Sequence, residues 1–183
     1  MEEREHIIEV KDMVKKFGSF VANDHLNFHV EQGEIFGFLG ANGAGKTTAM
    51  RILCGLSYPT SGDIHVAGHD VYRDRERIKK KIGYMSQKFS LYEDLTVSEN
   101  IHLYAGIYGL GRKQIAAREE QLLERLGLAH IRNKLIRKIP LGWKQKLAFS
   151  VAIFHQPAIV FLDEPTGGVD PITRRQFWEM IHD

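Results

Sequence analysis

Gly40-Ala41-Asn42-Gly43-Ala44-Gly45-Lys46-Thr47-Thr48 is the stretch on which the reading of the fold turns. It matches G-x-x-x-x-G-K-[ST] at each fixed position and carries a further glycine, Gly43. Glycines at this spacing let successive backbone N–H groups turn inward around phosphate oxygens, in conformations that a Cβ obstructs. A helix directly after them adds unpaired N–H groups and the positive end of its dipole. Lys46 is then placed to reach β- and γ-phosphates, and the Thr47 hydroxyl to sit on Mg²⁺. The flanks agree: residues 34–39 predict a buried strand and residues 47–54 a helix. Gly40, Asn42, Gly43, Ala44, Gly45, Lys46, Thr47 and Thr48 therefore predict a nucleoside triphosphate site.

A second chemistry-bearing stretch lies far downstream. Ile159-Val160-Phe161-Leu162-Asp163-Glu164 is four apolar residues followed by two carboxylates. A central parallel strand is buried on both faces and reads as continuously apolar. Acids at its C-terminal end fall where open α/β sheets bind ligands. Asp163 is expected to hold Mg²⁺ through water, and Glu164 to orient or deprotonate an attacking water.

The bulk properties set bounds. A chain of 183 residues, 43% hydrophobic and 26% charged, is a globular domain with at most a small inserted subdomain. A net charge of +2 gives no electrostatic case for nucleic acid, and Lys79-Lys80-Lys81 reads as a solvated helix end. The single cysteine, Cys54, excludes an internal disulfide, fits a reducing compartment and reads as a packed thiol on the helix after the loop. No signal peptide is visible, and the longest charge-free run, residues 147–162, is broken by His155-Gln156-Pro157, so no segment spans a membrane.

In order along the chain, residues 6–13 and 26–30 predict strands, 63–67 a short strand, 74–81 a charged helix and 82–85 a buried strand. Residues 95–155 then read as helical almost throughout. Thr96-Val97-Ser98-Glu99 predicts a capping box, and the helix it opens ends near Gly109. Ile115, Leu122 and Leu126 stripe the next helix, Gly127 stops it, and a third begins near Trp143. Asp170-Pro171 caps a last helix. His25, His29, His65 and His69 lie on strands or turns without metal-ligand spacing.

The order of these parts resembles the ATP-binding-cassette (ABC) ATPases, above all the ATPase subunits of drug and ABC-2-type exporters. The resemblance covers the whole chain. Its most specific carriers are residues 37–48 and Leu162-Asp163-Glu164-Pro165, with Gln87 after a short strand and Gly167-Gly168-Val169-Asp170 after the acids. It implies an α/β P-loop NTPase core with an N-terminal antiparallel β subdomain and an inserted helical subdomain. Residues 1–87 and 157–183 would form the ATP-binding core, and 88–156 the helical part. It further implies that Phe17 stacks on adenine, that Gln87 contacts Mg²⁺ and the attacking water, and that Asp170 sits at a dimer interface. ATP and Mg²⁺ are the implied cofactors. The implied partners are a second such ATPase domain and a membrane-spanning permease, the protein being cytoplasmic and held at the membrane through that permease.

Two departures from the family pattern stand out. Its signature, Leu-Ser-Gly-Gly-Gln, aligns with Ile139-Pro140-Leu141-Gly142-Trp143, so one glycine is kept. The family's serine hydroxyl and glycine N–H groups contact the γ-phosphate bound to the opposite subunit, whereas Pro140 has neither hydroxyl nor N–H and Leu141 adds bulk. Lys144-Gln145-Lys146 keeps the family's polar run. Members also continue to a strand that ends in a γ-phosphate histidine. The last histidine here, His182, falls within the final helix, so the reading is of a C-terminally truncated piece, weak in nucleotide binding and hydrolysis.

The favoured function is thus the ATPase of an exporter. A soluble ABC ATPase acting on ribosomes or chromosomes is the alternative, and the aromatic stretch with Phe89, Leu91, Tyr92, Tyr104 and Tyr108 is the discriminating surface. A small-molecule P-loop kinase lacks both the insertion and the Leu-Asp-Glu-Pro order.

Overall fold

A computed structural model of the chain describes residues 6–41, 43–86, 91–168 and 170–182. Its contacts divide into two compact units, Met1–Ile82 and Gly83–Asp183.

The first unit is built on a long hairpin. Strands β1 (His6–Phe17) and β2 (Phe20–Glu31) pair antiparallel and turn at Gly18, whose φ of 60° suits a residue without Cβ. Strand β3 (Ser61–Val66) pairs antiparallel on the other edge of β1, and the two-residue β4 (His69–Asp70) completes the order β2-β1-β3-β4. Ile8 and Val10 are buried, and so are Met13 and Val14. Simple alternation forbids both pairs on one face. The register slips between Val10 and Met13, where Asp12 takes φ 56° and its N–H donates to Asn27 Oδ1 at 2.8 Å. That bulge brings the odd-numbered Met13 into burial after the even-numbered Ile8 and Val10, and a second slip, between Met13 and Lys15, leaves its neighbour Val14 buried as well. Helix α1 (Lys46–Leu53) buries Ala49, Ile52 and Leu53 and packs on β2 and β3. Cys54, directly after it, is fully buried. Helix α2 (Arg75–Lys81) ends in its three lysines, as expected of a solvated end.

The second unit holds a two-stranded sheet of β5 (Ile82–Met85) and β6 (Ile159–Leu162), with helices α3 (Val97–Ile107), α4 (Arg112–Arg125), α5 (Leu141–Ile153) and α6 (Pro171–His182). Its core gathers Val97, Ile101 and Ala105 of α3, Ile115 and Leu123 of α4, Leu147 and Val151 of α5, and Phe177 of α6. The buried line on α4 is Ile115, Glu119 and Leu123, spaced four apart; Leu122 and Leu126 are half-buried at its margin. Glu119 is fully buried, with its Oε2 accepting from Arg132 Nη2 at 2.9 Å and paired with His102 Nε2 at 2.8 Å. Helix α3 starts on the capping box expected for it: Thr96 Oγ1 accepts from the Glu99 N–H at 3.2 Å, and Glu99 Oε2 accepts from the Thr96 N–H at 2.7 Å.

Two expectations need correction. Residues 34–40 form no strand among the described residues. Ile35 and Leu39 are exposed, while Phe36 and Phe38 pack on Phe28 of β2 with ring centroids 5.2–5.3 Å apart. An apolar run signals a wish for burial, and packing against one aromatic ring meets part of it without a ladder partner. β6 likewise is not buried on both faces: Val160 is 38% exposed, and β6 pairs with β5 alone among the described residues. A strand with one neighbour has one unshielded edge, so its apolar run outlasts its burial.

Thr96→Ala is expected to lower stability by about 1 kcal/mol, read as a shift of the urea midpoint at unchanged slope. The hydrogen bonds from the Thr96 N–H and then its hydroxyl hold the Glu99 carboxyl below its ordinary value. A carboxyl lowered in the folded state stabilises above its unfolded pKa, and that share is lost as pH falls through the folded value. Glu99→Gln should therefore flatten the acid side of the stability profile.

Candidate functional site

In the first unit the loop from Gly40 to Thr48 is shaped by three left-handed glycines, Gly40 (φ 156°), Gly43 (φ 83°) and Gly45 (φ 80°). The Ala44 N–H donates to Ala41 C=O at 3.1 Å, closing the turn inside the loop. Lys46 Nζ donates to the carbonyls of Gly40 and Ala41 at 2.6 and 2.8 Å, so its ammonium lies at the mouth of the loop. Thr47 and Thr48 form the first turn of α1, which no side chain caps.

Gly45 is the tightest position. A Cβ there would run into the Ala22 carbonyl oxygen and stand 2.6 Å from Asn23 Nδ2. The Asn23 amide, 4% exposed, donates to the Gly45 carbonyl at 3.2 Å, and its Oδ1 is buried with no partner among the described residues. Strand β2 thereby fixes the point where loop becomes helix. Sequence reasoning did not find Asn23, because an asparagine in mid-strand carries no local motif. Phe17, assigned to adenine, ends β1 with 55% of its surface exposed and Lys15 Nζ 4.8 Å from its ring centre.

In the second unit Asp163 follows β6, is 5% exposed, and its N–H donates to Met85 C=O at 2.9 Å. Glu164 is exposed and sits at φ 49°. The left-handed region costs a residue with a side chain about 1–3 kcal/mol, and such outliers gather where a side chain must be aimed. The turn that holds it is closed by the Gly167 N–H donating to Glu164 C=O at 3.1 Å. Asp170 caps α6, with Oδ1 accepting from the Ile172 N–H at 3.0 Å.

The degenerate signature opens α5. Pro140 is its N-cap and Leu141 its first residue, two positions earlier than the sequence predicts. Leu141 is 41% exposed, while Gly142 and Trp143 are half-buried. Trp143 meets His130 edge-on at 5.3 Å. Gln87, Asn42 and Phe89 lie outside the described residues. Of the aromatic stretch, Leu91 is buried in the core, Tyr92 is exposed with Tyr104 at 6.3 Å, and Tyr108 stacks on His155 at 3.5 Å. No helix among the described residues is long and apolar enough to cross a membrane, and they contain no cluster of three metal-ligating side chains.

A glycine-lined loop running into a helix, and a strand ending in two carboxylates on a separate unit, are the features of an α/β P-loop nucleotide-binding domain. A family profile described as "ABC transporter" matches residues 23–167, and the chain belongs to that family. It is 48% identical over 178 residues to the probable multidrug ABC transporter ATP-binding protein YbhF of Escherichia coli, covering 97% of this chain and 31% of that protein. It is 42% identical over 176 residues to the bacitracin transport ATP-binding protein BcrA of Bacillus licheniformis, covering 96% and 56%. The chain thus spans 31% of one of these relatives and 56% of the other. Among solved structures, an ATP-binding subunit of an ABC transporter superposes with a TM-score of 0.83 at 29% identity, over 96% of this chain and 73% of that one. CbiO1 of Clostridium perfringens superposes at 0.84 with 24% identity, over 97% and 72%, and bears on the fold alone. The chain has the α/β P-loop fold of these subunits, antiparallel β portion and helical portion included.

Gly45→Ala and Gly43→Ala separate backbone crowding from backbone strain. Gly43 has open space where a Cβ would go, so its substitution should cost only the left-handed penalty, about 1–2 kcal/mol. Gly45→Ala adds a collision with β2 backbone and should cost more than about 3 kcal/mol. Thermal melts of the two variants check the ranking.

Proposed function

We propose that the chain is the nucleotide-binding part of an exporter ATPase, with residues 1–87 and 157–183 as ATP-binding core and 88–156 as helical subdomain. The observation that carries this reading is the Gly40–Thr48 loop, held by Asn23 at Gly45 and continued by α1, in a chain of the ABC transporter family. Loop amides and Lys46 cradle the phosphates of ATP, and Phe17 offers its exposed ring to adenine. Asp163 and the Thr47 hydroxyl are each hard oxygen donors of the kind that Mg²⁺ takes, and each would serve that ion when ATP brings it. Bound there, the ion would supply neutralisation of charge on the phosphates. Glu164 accepts the proton of the attacking water, and Gln87 contributes to orienting it.

ATP-dependent dimerisation with a second ATPase domain, across Pro140, Leu141, Gly142, Trp143 and Asp170, drives a permease, and hydrolysis reopens the pair. The names of the multidrug-transporter and bacitracin-transport relatives support a transport role, and the exporter reading puts the chain at the cytoplasmic face of a membrane. Exposed Tyr92, beside Tyr104, remains available to a membrane partner, which favours this over the soluble reading.

Lys46→Ala should abolish the rise in melting temperature that ATP–Mg²⁺ produces; an undiminished rise would remove the loop from the site. Glu164→Gln should keep that rise while hydrolysis falls at least a hundredfold, because an amide cannot take the water's proton. Turnover within a few-fold of the parent protein would assign the proton to another group.

A further inference from the structure

Gln145 lies one turn into α5, in the polar run Lys144-Gln145-Lys146, yet its side chain is only 1% exposed. A buried amide has to find hydrogen-bond partners. Its Nε2 donates to the Gly167 carbonyl at 3.3 Å. The orientation follows from chemistry, since a carbonyl oxygen accepts only and an amide oxygen facing it would be repelled. Gln145 Oε1 has no partner among the described residues.

Gly167 is the residue whose N–H closes the turn back onto Glu164 C=O at 3.1 Å, with Glu164 held at φ 49°. The hydrogen bonds thus run in series from the α5 amide to Gly167 and from Gly167 to the strained glutamate. Neighbouring contacts make α5 a firm base for that series. Leu141 Cδ2 stands 3.9 Å from where a Gly168 Cβ would be, Lys146 Nζ donates to Gln176 Oε1 at 3.0 Å, and Phe149 meets Phe177 at 5.4 Å.

We propose that Gln145 is a positioning residue for Glu164: its amide anchors the 164–167 turn to α5 and so sets where the Glu164 carboxylate points. The proposal rests on the reading of Glu164 as the group that activates water. Without the anchor the turn relaxes from its left-handed start, and a small displacement of an aligned catalytic group is costly in rate. Nucleotide binding, which draws on the Gly40–Thr48 loop, should be left intact. The amide also places the start of α5, where the signature is degenerate, in direct mechanical connection with the acidic strand end.

The test uses the protein that carries this chain, with kcat, KM for ATP and the ATP-induced melting shift measured together. Gln145→Leu keeps the bulk and removes the donor. It should lower kcat at least tenfold while KM and the melting shift stay within twofold. In a Glu164→Gln background the same change should lower the residual rate by less than twofold, because the aimed group is already gone. Gln145→Glu should be as slow as Gln145→Leu at neutral pH and regain rate relative to the parent protein as pH falls, since a carboxyl can donate to Gly167 only when protonated. A Gln145→Leu kcat within twofold of the parent, an equal loss in both backgrounds, or a loss shared by KM and the melting shift would overturn the proposal. Should the leucine variant fail to fold, the pH dependence of Gln145→Glu decides instead. Failure of the underlying reading looks different: Glu164→Gln alone would then turn over normally.

Discussion

Everything about the Gly40–Thr48 loop of the first unit depends on one steric fact, that Gly45 has no side chain. Any Cβ there would collide with the Ala22 carbonyl and the Asn23 amide of β2, and the Gly45 carbonyl is held by that amide. At φ 80° it reverses the chain into α1, so the helix begins where the sheet permits and in the direction the sheet dictates. A loop that must approach phosphates with its backbone needs a rigid support behind it. Here a buried strand residue supplies the support, and the glycine lets the two backbones close to contact.

In the second unit the equivalent constraint falls on Glu164. A glutamate with positive φ is retained only when its surroundings over-determine it. The Gly167 turn does so from the backbone side and Gln145 from the helix side. Backbone geometry therefore aims the carboxylate as well as side-chain packing does.

Much of this was legible before any coordinates. The Gly40–Thr48 loop, the Thr96 capping box, the acids after β6 and the Asp170 cap each involve residues close in sequence whose chemistry admits few alternatives. What escaped depends on partners distant in sequence. Residues 34–39 looked like a strand because apolar character records a preference for burial and says nothing of ladder partners. Asn23 and Gln145 escaped notice because polarity alone does not reveal a carbonyl waiting 22 residues away in each case. Glu119 sat unnoticed between Ile115 and Leu123, where the helical period called for an apolar side chain. Gln87, Asn42 and Phe89 fall outside the described residues, so what was expected of them rests on the sequence alone.

The buried Glu119 has a consequence for how the helical unit settles into one arrangement. Apolar stripes on α3 and α4 could slide past one another by a turn and still cover most of their surface. Such a slip moves α4 by about 5.4 Å. It would carry Glu119 away from His102 and Arg132, now at 2.8 and 2.9 Å, while leaving it out of water. Leaving a buried carboxylate without its partners is costly even where, as here, those partners are themselves 45% and 47% exposed. Greasy surfaces pull these helices together, and a single carboxylate decides the notch in which they stop.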